Sequence, residues 1–121
     1  MKTNELAGGL LDYWVAKAER KVPLRHKDHW FVGLEREEAY APSTNWAHGG
    51  PIIERERIVA VYDELIGEWE AFHKGYLDRS GELQSKGDCI AEGETHLIAA
   101  MRCYVASKLG DTVDTPQELA A

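Results

Sequence analysis

The sequence predicts a small α+β domain in which a small antiparallel sheet packs against an N-terminal and a C-terminal helix. Three observations predict it. Apolar residues recur at helical spacing near both ends of the chain: Leu6, Leu10, Tyr13 and Trp14 at the start, and Leu97, Ile98, Met101, Tyr104, Val105 and Leu109 towards the end. Between them lie short apolar runs of strand length, separated by turn-forming residues. The length of 121 residues matches a single domain spanning 1–121.

Taken in order, the first helix is expected from about Asn4 to Arg20, with Thr3 or Asn4 as N-cap and Pro23 beyond its end. Gly8 and Gly9 each cost about 1 kcal/mol relative to alanine inside a helix, which points to close approach of another element. His29–Val32 reads as a strand. Tyr40–Asn45 holds turn formers whose side chains bond nearby backbone. From Pro51 onward no single strand fits, because each face would be apolar at its ends and charged in its middle. The segment divides into a helical turn over Pro51–Glu56, with proline at its first position, and a buried strand over Ile58–Tyr62. Gly67–His73 returns as the antiparallel partner after a loop through Asp63 and Glu64. Lys74–Glu92 is polar and glycine-bearing, a loop with an imperfect strand near Cys89 and Ile90. Thr95 caps the strongest element, and Gly110 supplies its C-terminal stop. Ala99, Cys103 and Ala106 line the side opposite its apolar face. That helix should be buried almost all round, with a neighbour close on the small side. The tail from about residue 111 is expected to fray.

Composition removes several function classes. With 44% hydrophobic and 29% charged residues the chain is of ordinary globular make-up. No apolar run approaches the ~20 residues of a membrane span. Met1–Glu5 lacks the apolar core of a signal peptide. A cytoplasmic setting without a membrane partner is expected, with Cys89 and Cys103 reduced. The net charge of −7 disfavours nucleic acid. The basic run Lys17–Lys27 reads as a cation-rich helix end and a solvated loop, without aromatics for stacking.

Motifs for chemistry are sparse. Ser43, Ser80, Ser85 and Ser107 sit in no nucleophile elbow, and no glycine pattern matches a phosphate-binding loop. His26 and His29 flank Asp28, but there is no His-Glu-x-x-His and no Cys-x-x-Cys, so neither metal nor cofactor is expected.

The densest stretch is Ser43–Arg57, and two readings of it compete. In the architectural one, Trp46 plugs the core, Gly49 and Gly50 allow backbone geometries that alanine resists, and Pro51 starts a helical turn. In the functional one, Asn45, His48 and the glycine amides face a small polar ligand, with charge from Glu54, Arg55 and Arg102. The candidate binding residues are therefore Asn45, Trp46, His48, Gly49, Gly50, Glu54, Arg55 and Arg102; none is assigned as catalytic. Arg102 is the only charge between Leu97 and Ala106 and must find solvent or a partner. A bidentate carboxylate suits its five donors, with Glu54 expected and Glu56 or Asp12 as the other choices.

Three blocks, Leu6–Ala18, Pro42–Trp46 with Gly49–Arg55, and Leu97–Gly110, together resemble the NinX-like group of small, uncharacterised phage and prophage proteins. They fall in the same order and cover most of the chain. The resemblance implies a phage or bacterial-host setting and brings no catalytic residues to carry over. The chain departs from the group's pattern at Gly93–His96, where a more proline-rich lead-in is expected, and in an expanded Lys74–Glu92 segment. The expected function is that of a phage accessory protein binding a host or phage protein, or further copies of itself as a homo-oligomer. The alternative is a small ligand-binding domain or enzyme with a polar site around Asn45, His48, Glu54 and Arg102.

Overall fold

The C-terminal apolar periodicity becomes the longest helix, α3 (His96–Leu109), in a computed structural model that describes residues 1–26, 29–32, 38–87 and 89–114. Thr95 caps it as expected: its hydroxyl oxygen accepts the Ile98 N–H at 3.1 Å. Leu97, Ala99, Ala100, Met101, Cys103, Tyr104 and Val105 are all buried. The apolar face ends a turn early, because Leu109 is 40% exposed.

The N-terminal helix is not continuous from Asn4. A single 3-10 turn (Thr3–Glu5) precedes α1 (Gly8–Ala18), with extended backbone at Leu6 and Ala7 between them. Gly8 starts α1 at φ +55°, a left-handed geometry that strains residues with a Cβ, and no atom would crowd a Cβ there. Gly8 is therefore required by conformation and not by close approach. The break lets Leu6 turn into the core beside Leu11 and Val15.

Four-residue strands β1 (Pro23–His26) and β2 (His29–Val32) pair antiparallel, from Pro23↔Val32 to His26↔His29. The first corrects the expectation of a solvated loop. Its side chains from Leu24 to His26 are indeed exposed, but its backbone supplies the ladder that β2 needs. Lys27 and Asp28 lie outside the described residues, as do 33–37 and the last part of the tail, 115–121.

Helix α2 (Trp46–Glu56) begins at Trp46, not at Pro51. Asn45 decides this: its Oδ1 accepts the Ala47 N–H at 2.9 Å and caps the helix. Pro51 is accommodated inside because Gly50, before it, has no Cβ to meet the proline ring. Gly49 lies where a Cβ would be 2.5 Å from the Pro42 carbonyl oxygen and 2.7 Å from Leu97 Cδ2.

The main sheet is antiparallel and ordered β3 (Val59–Asp63), β4 (Glu68–Phe72) and β7 (Ile90–Gly93), with Ala71 opposite both Ala60 and Ala91. The segment that reads as a loop contains a hairpin, β5 (Gly75–Leu77) with β6 (Leu83–Ser85). Ala71, Ala91 and Gly93 present almost no side-chain bulk to α3. A Cβ on Gly93 would meet the Ala99 nitrogen at 2.7 Å, so small residues of sheet and helix meet closely. Residues 111–113, expected to fray, are strapped to the N-terminus. The Val113 N–H donates to the Met1 carbonyl at 2.9 Å, and Thr3 N–H to that of Asp111 at 2.8 Å.

These contacts predict that Gly49→Ala destabilises by about 1–3 kcal/mol, the cost of overpacking. Gly9→Ala, whose Cβ would meet Trp30 no closer than 3.5 Å, should be neutral or stabilising by up to about 1 kcal/mol. Urea denaturation of both variants checks the contrast.

Candidate functional site

The Ser43–Arg57 stretch folds as the capped lead-in and body of α2, and most of its polar atoms are engaged internally. Beyond capping the helix, Asn45 donates through Nδ2 to Glu38 Oε1 at 2.8 Å. His48 Nδ1 accepts the Ala41 N–H at 3.0 Å, which leaves the ring proton on Nε2, 3.7 Å from Glu38 Oε2. The His48 ring also stacks on Tyr40. Asp12, buried on α1, accepts the Ser43 N–H at 2.8 Å and ties the lead-in to that helix; burial raises its carboxyl above the ordinary carboxylate range. Glu54 is exposed and makes no ion pair among the described residues.

Trp46 does not plug the core. It lies on the first, outward turn of α2 and is 53% exposed. Its ring is met edge-on by His96 at 4.9 Å. His96 in turn stacks on Trp69 at 5.0 Å, and Trp69 meets Tyr62 at 5.7 Å. The result is an aromatic row joining α2, the start of α3, β4 and β3. At its Trp46 end a recess of about 270 Å³ is lined by Ser43, Thr44, Trp46, His96, Leu97 and Ile98. Leu65, at 97% exposure, and Ile66 project from the β3–β4 turn.

The sheet face away from α3 carries the opposite chemistry. By register, Val61 stands opposite Glu70, Glu70 opposite Glu92, and Asp63 opposite Glu68. Partial burial, then the like charges of Glu92 and Asp63, raise the Glu70 carboxyl above its ordinary value. No lysine or arginine pairs with this row among the described residues.

The expected arginine–carboxylate tie exists, but between other residues. Arg55 is bidentate to Glu19 at 3.1 and 2.7 Å and also reaches Glu56 at 3.1 Å, linking α2 to the end of α1. The Tyr104 hydroxyl of α3 donates to Glu19, and His73 Nε2 lies 3.0 Å from Glu56 Oε1. Arg102 touches no carboxylate. Its Nε donates to the Leu6 carbonyl at 2.7 Å and its Nη1 to that of Glu92 at 2.8 Å. Both oxygens need a donor, the first because the N-terminal helix breaks at Leu6, the second because it faces out from the sheet edge. Thus Arg102 is not brought together with Asn45, His48 or Glu54. Sequence spacing has no means of finding Glu19 as the partner of Arg55, thirty-six residues away.

Other chemistry is not assembled. The two cysteines form no disulfide, and burial, then the neighbouring Cys89, pushes the Cys103 thiol up to about 12. Among the described residues no group of three or more His, Cys, Asp or Glu could hold a metal ion, and no helix is long and apolar enough to cross a membrane.

The family described as Bacteriophage P22, NinX matches residues 2–108. The chain belongs to this family. As a NinX-family member it is a phage-associated protein, and the matched span contains the aromatic row, the Arg55 network and Arg102. No curated protein matches the chain.

Two outcomes are expected from the arginines. Burial opposes ionisation of Glu19, but hydrogen bonds from Arg55 and Tyr104 outweigh it and hold the carboxyl below its ordinary 4.5. A depressed pKa contributes stability that is fully present above the unfolded value and lost as pH falls through the folded one. Arg55→Met should therefore cost about 1–3 kcal/mol at neutral pH, with the difference from wild type shrinking below the Glu19 range. Urea curves on both proteins across pH 3–7 check this. Arg102→Met leaves two carbonyls without a donor and should cost about 1–3 kcal/mol at every pH in that range, readable from the same curves.

Proposed function

We propose that this phage protein is an accessory factor that acts by binding another protein, with the Trp46–His96–Trp69–Tyr62 row as its contact surface. One observation carries the reading: an indole in edge-to-face contact with His96 yet more than half exposed. Large aromatics fixed at a surface are the residues that contribute most at protein interfaces. The apolar recess beside Trp46 would receive a partner side chain, and the acidic Asp63, Glu68, Glu70 and Glu92 favour a basic partner. On this reading the protein works in the cytoplasm of the bacterial host. A small-molecule site around Asn45 and His48 has less support, because those side chains already bond Ala47, Glu38 and Ala41.

Tagged wild type and Trp46→Ala, used as baits in lysate of phage-infected bacteria, test the reading. Trp46→Ala should change unfolding free energy by less than about 1 kcal/mol, as for surface substitutions, yet lose the protein that wild type retains. Retention of the same protein by Trp46→Ala and by Tyr62→Ala would overturn the proposal.

A further inference from the structure

We infer that the partner is held by strand addition: an extended, basic segment of another protein pairs along the free edge of β3. The inference rests on the protein-binding reading above and specifies its geometry.

The two edges of the main sheet are treated differently. On β7 the outward groups of Glu92, at the middle of the edge, are engaged, since its N–H donates to Asn4 Oδ1 at 3.0 Å and its carbonyl accepts from Arg102 at 2.8 Å. On the other side, β3 pairs with β4 alone among the described residues. The register then shows which β3 groups are open. Because the main-chain groups of Glu92 point away from β4, Glu70↔Glu92 is a non-hydrogen-bonded pair, and Glu70 bonds across to Val61 instead. The His73 N–H donating to the Cys89 carbonyl at 3.0 Å agrees with that alternation. Val59, Val61 and Asp63 therefore bond β4, and the N–H and C=O groups of Ala60 and Tyr62 point outward.

Natural edges are guarded by lysine, proline, bulges or a covering element. From Val59 to Tyr62 this edge has no charge and no proline, and Val61 and Tyr62 are 42% and 50% exposed. Charge selects the occupant. A second copy pairing through β3 would join two chains that each carry a net charge of −7, whereas a basic segment neutralises Asp63 on β3 and the nearby Glu68 and Glu70. An added strand alternates its side chains, one set beside Val59, Val61 and Asp63, with Glu68 and Glu70 one strand further in and within reach of long basic side chains, and the other beside Tyr62 and the aromatic row. The segment that fits alternates lysine or arginine with apolar residues.

The test uses the full ¹⁵N-labelled chain and a capped hexapeptide of alternating lysine and valine, with the glutamate–valine hexapeptide as control. Expected are slowed exchange of the Ala60 and Tyr62 amides and binding at least about tenfold tighter than the control, weakening with salt. Ala60→Pro removes an outward N–H without touching the β4 ladder and should weaken binding at least about tenfold. If that variant unfolds, a peptide N-methylated along its pairing edge applies the same block to wild type and should weaken binding equally. The inference fails if the lysine–valine peptide does not bind, or if β3 instead pairs two copies into a dimer. It fails too if binding survives both pairing blocks with shifts confined to Trp46 and His96; that outcome leaves the aromatic contact surface standing.

Discussion

Between Leu97 and Val105, α3 is buried except where Arg102 leaves it and where Ile98 is half-buried beside the recess, so neighbours are needed almost all round. Three kinds meet the requirement. The sheet comes close with Ala71, Ala91 and Gly93. α1 contributes Leu11, Val15 and Ala16, and the broken N-terminal segment brings Leu6 inward. Each buried leucine, valine or methionine removes apolar surface worth about 1.5–3 kcal/mol, which outweighs the glycine and helix-break costs along the way. The closeness at Gly93 and Gly49 follows from the same packing, since both positions admit no Cβ without moving backbone.

Two guanidinium groups complete this arrangement in different ways. Arg55 sits half in water and joins two carboxylates, a tie whose strength depends on their ionisation. Arg102 emerges from the buried helix and donates to two main-chain carbonyls that the fold would otherwise strand. Its hydrogen-bond partners do not titrate; burial makes its own charge less favourable, and the nearby Glu68 and Glu94 carboxylates offset that only in part. The second tie also engages the middle of the β7 edge, so one side chain serves both packing and protection against pairing with another chain.

The surface is uneven as a consequence. Among the described residues one sheet edge is engaged at its middle and the other pairs with nothing; one face carries a row of acidic residues, and the α3 side ends in a run of four aromatic rings. Nothing about the packing of α3 requires Trp46 or Tyr62 to be exposed. The match to the phage NinX family spans all of these features.

Legibility in the sequence divides along physical lines. Interactions local in the chain are readable: the α3 period, the Thr95 cap, the Gly110 stop, the α+β class and the β3–β4 pair, although β3 is largely exposed and not the buried strand expected, because it lies at the sheet edge. The start of α2 is also signalled locally, by Asn45, but Gly-Gly-Pro is the louder boundary signal and points five residues too late. The β5–β6 hairpin and β1 escape detection because short strands with exposed side chains carry no apolar alternation. The candidate site is less readable still. Composition singles out Trp46 but not the side of the surface on which it lies, since an indole's chemistry suits a core and an interface equally. The partners of Arg55 and Arg102 lie mostly far along the chain, and their choice follows from which carbonyls and carboxylates the packed helices leave without donors. Chain-local chemistry is written in the order of the residues; pairing between distant groups exists only once α3 has drawn them together.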